Sequence, residues 1–305
     1  MQIIKHRKIF VLVSLILMAL ALVFIFSFGL KEGIDFKGGS LLEASYDVRP
    51  DLSELNTAVK SAGFNDVLIQ PSGEKEILVK TIELGSEAHT KISAALAVKD
   101  TGYKEVSFTS IGPSVGKELR SRAVVAIVLV LTAIILFIAY VFRKVSKPVS
   151  SWKYGLITIA TLLHDILIPV GAYAVIAHYQ HIEIDTLFVV AILTVLGLSV
   201  HDSIVVLDRV RENLKENKNN DSFAHVVGKS TSQTIARSIN ITLTVVFVLI
   251  PLYLIGPETT KNFALLLIIG LFIGVYSSIF FGSPLLVIWN SFTENRKKKL
   301  ATNKK

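Results

Sequence analysis

Thr186 to Leu207 reads TLFVVAILTVLGLSVHDSIVVL, an apolar run broken by a single charge, Asp202. At about 1.5 Å of rise per residue, roughly 20 such residues cross the hydrocarbon layer of a bilayer as a helix. An acid inside such a run costs roughly 2.5–3.5 kcal/mol on insertion scales, so it must face protein or water. Reading outward, runs of the same kind occupy Ile9 to Gly29, Ala123 to Phe142, Tyr154 to Ala177, Ile239 to Ile255 and Asn262 to Trp289. Together they predict an all-α bundle of six transmembrane helices. The composition agrees, since 51% of the 305 residues are hydrophobic and only 18% charged, too apolar for an ordinary soluble domain.

The net charge of +8 does not point to nucleic acid, because the cations sit beside the apolar runs and not on one basic face. They read as topology signals. With no cysteine, thiolate catalysis, disulfides and Cys-based metal sites are excluded. Lys5, Arg7 and Lys8 precede the first run, but that run is longer than a signal-peptide core and lacks a small-residue cleavage site, so it is expected to stay as a span. Lys and Arg gather in cytoplasmic loops. Arg143, Lys144, Lys147 and Lys153 mark one inner loop, Arg209, Arg211, Lys215, Lys218 and Lys229 another, and Arg296 to Lys299 the tail. The opposite short loops, His178 to Asp185 and Gly256 to Lys261, carry Lys261 as their one Lys or Arg. Both termini are therefore expected in the cytoplasm. The expected division is residues 1–30 as N-terminus and first span, 31–122 as an extracytoplasmic domain, 123–290 as spans two to six, and 291–305 as a basic tail.

The outside segment alternates short strands and helices. A strand at Ser40 to Asp47 is followed by a helix opened by Asp51, with Glu54 three residues on as in a capping box, and Leu55, Val59 and Ala62 form its apolar face. Gly63 stands where a helix C-terminus favours a left-handed residue. Strands near Asp66 to Gln70 and Glu76 to Ile82, a helix from Ser86 to Val98, and a strand near Glu105 to Ile111 complete the order β-α-β-β-α-β. That order is typical of an α+β ferredoxin-like unit. It holds no catalytic cluster and reads as a docking module.

Charges inside the spans carry the functional reading. Asp165 lies near the centre of the third span, with Thr158 and Thr161 on the same helical face, a polar stripe that lipid would not favour. It is expected either to line a pathway or to be a buried structural acid. Asp202 is roughly 9 Å inside the cytoplasmic end of its span. Gln233, Arg237, Asn240 and Thr244 recur on one face at the cytoplasmic start of the fifth span, and Arg237 matches Asp202 in depth and sign. An Asp202–Arg237 pair would be a proton-driven switch or a static pair that fixes helix register. His164 and His201 each precede an acid and titrate where a relay would need it, although adjacent helical residues point about 100° apart. No His-x-x-x-His spacing supports a metal site, and no cofactor is assigned. Gly270, Gly274, Ser278 and Gly282 repeat every four residues in the sixth span, a small-residue face for close helix packing, within this chain or against another.

Four ordered segments carry a family resemblance: Gly33-Ile-Asp-Phe-Lys-Gly-Gly39, including Asp35 and Gly38; Ser110-Ile-Gly-Pro-Ser-Val-Gly-Lys-Glu-Leu119, including Gly112 and Pro113; Gly197 to Asn213; and Ala236 to Thr244. At these positions the chain resembles the SecF branch of the SecD/SecF protein-export family, a subfamily of RND-type membrane proteins. The resemblance implies an RND-type half bundle that pairs with a SecD half. The two together would use the proton or sodium motive force to assist polypeptides exported through the SecYEG channel after the SecA ATPase. By match to the family motifs, Asp202 and Arg237 fall on its intramembrane pair, while His201 replaces its usual Asn. The expected place is the bacterial cytoplasmic membrane, among lipids and exported polypeptides, as a transport component and not an enzyme. Two other readings stand beside it. One is half of a small-molecule exporter. The other is an aspartyl intramembrane protease, whose Tyr-Asp and Gly-x-Gly-Asp patterns fail at Leu163-His164-Asp165 and Ser199-Val200-His201-Asp202.

Overall fold

Six helices of the computed structural model are long and apolar enough to cross a membrane. The structure describes residues 2–97, 101–141, 151–217 and 221–302. Arg143, Lys144, Lys147 and Lys218 of the inner loops, and Val98 at the end of the second domain helix, lie outside the described residues. The chain divides into two contact units, one of Met1–Leu30, Ile127–Ile182 and Leu187–Lys305, the other of Lys31–Ala126 and Glu183–Thr186.

The spans are α2 (Arg7–Phe28, after a short α1, Gln2–Lys5), α6 (Pro113–Val141), α7 (Ser151–Gln180), α8 (Thr186–Lys215) and α9 (Phe223–Ile255). The sixth is a composite of α10 (Glu258–Tyr276), a π-helical turn (Ser277–Gly282) and α11 (Ser283–Thr302). In the most apolar window of each, half of the third and sixth spans is buried but only 6% of the second, which makes α7 and the sixth span central and α6 peripheral. Close backbone approach holds the centre together. A Cβ on Gly171 would lie 2.6 Å from Ala21 Cα, so α7 and α2 meet almost without side chains between them.

Several helices outrun the apolar runs, α6 beginning at Pro113 and α11 ending at Thr302. The fourth span continues to Lys215, so Arg209, Arg211 and Lys215 stand on helix, and the fifth begins at Phe223, well before Ile239. The hydroxyl of Ser222 caps that start by accepting from the His225 N–H at 3.3 Å. Thr231, Thr234 and Ser238 are buried in the early part of α9, so this stretch is held by polar packing that hydropathy does not register.

The second unit holds α3 (Ile34–Lys37), β1 (Gly39–Ser45), α4 (Leu52–Ser61), β2 (Val67–Ser72), β3 (Glu76–Thr81), α5 (Ser86–Leu96) and β4 (Lys104–Ile111). Its strands form one antiparallel sheet in the order β2-β3-β1-β4, which with the chain order gives the ferredoxin-like pattern. Alternation sends Leu42 and Ala44 from β1, Ile69 from β2, and Ile77 and Val79 from β3 to one face. There Leu55 and Val59 of α4 and Ile92 and Leu96 of α5 cover them. Asp51 caps α4 by accepting from the Ser53 N–H at 3.0 Å, and Gly63 follows its end at φ +97°. Ala62, expected on the apolar face, is the exposed C-cap residue instead. Because Ile77 is fully buried, Ile77→Ala is expected to destabilise this unit by about 2–5 kcal/mol. Limited proteolysis of the membrane-embedded chain should then cut within residues 31–126 at protease levels that leave the unsubstituted chain whole.

Candidate functional site

The acids of the third and fourth spans are held by serine hydroxyls from neighbouring helices. Asp165, fully buried on α7, accepts from Ser199 of α8 and, at 2.7 Å, from Ser277 at the start of the π turn. Its other oxygen is 2.9 Å from His164 Nδ1. Adjacent side chains therefore do meet here, despite the angle between their Cα–Cβ directions. The His164 ring lies nearly parallel to Tyr276 and Phe281 of the sixth span, at centroid distances of 5.9 and 5.1 Å. Thr158 and Thr161 are buried on the same face of α7 as Asp165, and their hydroxyls turn to the carbonyls of Tyr154 and Thr158.

Asp202 is half-buried on α8 and accepts from Ser238 of α9 and from Ser278 of the π turn. Its expected ion pair is absent: among the described residues nothing joins Arg237 to Asp202. The reason is helical geometry. Ser238 is the residue of α9 that faces Asp202, and Arg237 points about 100° away. Arg237 lines an opening of about 400 Å³ with Asp208, Arg209, Glu212 and Gln233. Gln233 is a tie between helices, its Oε1 accepting from Arg209 Nε and Asn213 Nδ2, both at 2.8 Å. Asn240 and Thr244 are exposed with Arg237 on the outer side of α9, Thr244 donating to the Asn240 carbonyl at 2.8 Å. His201 is also exposed and borders a cavity of about 30 Å³ beside Asp202, with Ser199 and Ser238 on its wall.

The small-residue face of the sixth span is turned inward. A Cβ on Gly270 would collide with Val195, one on Gly274 would touch Ser199 at 3.6 Å, and one on Gly282 would reach Thr161 at 2.9 Å. Ser278, in the same row, is a ligand of Asp202 as well as a packing residue. Asp165 and Asp202 take separate serine donors, and among the described residues no hydrogen bond joins their carboxyls.

In the second unit, Gly38 and Gly39 have φ of +85° and +135°, and a Cβ on Gly38 would lie 2.8 Å from Pro113 Cα. Gly116 is equally tight against the Gly38 N, at 2.8 Å, so the first and second motifs are two sides of one backbone contact. Gly112 precedes Pro113, which opens α6. Asp35 accepts from the N–H and hydroxyl of Thr186, at 2.8 and 2.6 Å, and the Gly33 N–H donates to the Ile184 carbonyl at 2.9 Å. Lys80 and Glu183 add an ion pair at 3.0 Å. These motif residues clamp chain segments together and contain no reactive cluster.

Residues 91–291 match the family model described as Protein export membrane protein SecD/SecF, C-terminal, and residues 23–48 match the SecD/SecF GG motif. The chain belongs to the SecD/SecF family. It is 39% identical to the protein translocase subunit SecF of Thermobaculum terrenum over 95% of this chain and 94% of that one. It is 34% identical to the SecF of Anaerolinea thermophila, again over 95% and 94%. The crystal structure of SecDF, a translocon-associated membrane protein from Thermus thermophilus, superposes with a TM-score of 0.81 at 29% identity. That match covers 95% of this chain and 39% of the longer SecDF chain. Within the SecD/SecF pattern, sequence reasoning named the two acids but missed Ser199, Ser238 and Ser277 as their ligands. The available signal was serines in apolar spans near an acid, since a hydroxyl in a membrane helix needs an acceptor.

Proposed function

We propose that this chain is an auxiliary, non-catalytic component of the Sec protein translocase that acts with a SecD half and draws on the ion motive force to assist polypeptide export. The carrying observation is Asp202, a carboxylate within a membrane-spanning helix whose acceptors are filled from two other helices. A hydrogen bond to a charged acceptor contributes about 1.5–3 kcal/mol. Protonation of Asp202 weakens both at once and loosens α8 from α9 and from the π turn. One elementary charge crossing 100 mV supplies roughly 2.3 kcal/mol, the same order, so a single proton or an equivalent ion suffices to bias that packing. SecYEG and SecA are the proposed machinery, and the Lys and Arg distribution supports cytoplasmic termini.

Arg237, Asn240 and Thr244 support the SecD partnership. An exposed Arg in a membrane helix costs roughly 2.5–3.5 kcal/mol unless protein or water covers it, and a second half bundle provides both. The chain has no cysteine, so single-cysteine variants are clean probes. Asn240→Cys and Thr244→Cys are expected to cross-link to cysteines in the SecD spans, while buried Val246→Cys is not. A reversed pattern would place lipid on that face. The activity is tested in proteoliposomes holding SecYEG, SecA and SecD. Adding this chain should speed completion of translocation when an ion gradient is imposed, and no acceleration under any gradient would refute the reading.

A further inference from the structure

Ser277 and Ser278 are neighbours, yet they serve different acids on different helices. Ser277 donates to Asp165 at 2.7 Å and also lies 3.0 Å from the Gly274 carbonyl, while Ser278 donates to Asp202 and lies 3.1 Å from the Val275 carbonyl. A serine has one hydroxyl proton, so each chooses between a carboxylate and a carbonyl of its own helix. An ionised carboxylate is the stronger acceptor; once protonated it competes poorly, and the hydroxyl turns back to the carbonyl. Both choices are made at the first two residues of one π turn, a helix form found mostly as single turns and often at functional sites.

The second acid has the construction of a proton site. His164 and Asp165 are both fully buried, His164 Nδ1 faces Asp165, and His164 Nε2 is buried with no hydrogen-bond partner among the described residues. The titratable groups bearing on Asp165 are His164 beside it, Tyr276 stacked on that ring from α10, and, across the serine pair, Asp202 of α8. Tyr276 is itself approached by the Ser14 hydroxyl of α2 at 3.4 Å. Among the described residues no Lys or Arg forms an ion pair with Asp165.

We propose that the His164–Asp165 pair is a second proton-binding site and that Ser277 and Ser278, at the head of the π turn, couple its protonation to that of Asp202. This rests on the reading of Asp202 as the site that answers the ion gradient. Ser277 and Ser278 are positioning residues, and a proton at either acid changes the hydrogen bonding of the turn that the other acid depends on.

The test is infrared titration of the chain assembled with SecD in lipid nanodiscs, following the carbonyl stretch of protonated buried carboxyls. Two titrating signals are expected. Asp202→Asn removes one, the further Asp165→Asn removes the other, and His164→Gln displaces the Asp165 midpoint by about one pH unit or more. Ser277→Ala is expected to displace the Asp202 midpoint, although Ser277 does not touch Asp202, and Ser277→Thr to restore it. Absence of any Asp165 signal, or of a His164→Gln effect on it, overturns the second site. A Ser277→Ala shift confined to Asp165, or one that Ser277→Thr does not reverse, overturns the coupling. These readouts stand apart from export: gradient-stimulated export that survives Asp202→Asn removes the function proposed above, whatever the carboxyl signals do.

Discussion

Gly38→Val is expected to unfold the second unit while leaving the bundle inserted. At φ +85° and ψ 161° the backbone occupies a region essentially reserved for glycine, where another residue costs about 1–3 kcal/mol. The new Cβ would also stand 2.8 Å from Pro113 Cα and 2.9 Å from Pro113 N, backbone atoms with no rotamer to move away. Overpacking of this kind typically adds about 1–3 kcal/mol. Together these consume a large share of the roughly 5–15 kcal/mol that stabilises a whole domain. Trypsin added to the face that carries this unit should cut within residues 31–122 of the variant under conditions that spare the original chain. An unchanged digestion pattern would mean that the Gly38–Pro113 contact is not a structural clamp.

The spans were legible because a bilayer demands long apolar runs, and the α+β unit because its strands alternate and Asp51 and Gly63 mark the ends of α4. The face of α9 that turns inward was not legible. Reading by strength of polarity selected Gln233, Arg237, Asn240 and Thr244, of which Arg237, Asn240 and Thr244 face out and Gln233 ties α9 to α8. The inward stripe is Thr231, Thr234, Ser238 and Thr242, small hydroxyls that fit between helices where a guanidinium would not. The π turn was beyond sequence reading altogether, since a shift of backbone bonding within an unbroken apolar run leaves no mark on its periodicity.

Asp202→Asn is expected to leave the chain folded and bound to SecD while erasing its response to the gradient. The amide keeps the size of the carboxylate and one acceptor oxygen for Ser238 or Ser278, so packing survives. It cannot ionise, so the two charge-assisted bonds never form or break with proton arrival. The loss is the whole bias of one charge at 100 mV, roughly 2.3 kcal/mol or about 40-fold in an equilibrium. His201 borders the cavity beside Asp202, but the two serine hydroxyls are directed to the Asp202 carboxylate.

The most direct measurement is therefore the rate of translocation completion against the size of the imposed ion gradient, in matched proteoliposomes carrying SecYEG, SecA, SecD and either this chain or its Asp202→Asn form. The rate is expected to climb with the gradient for the original chain and to stay flat for the variant, at equal levels of assembled complex. Equal slopes would contradict this expectation.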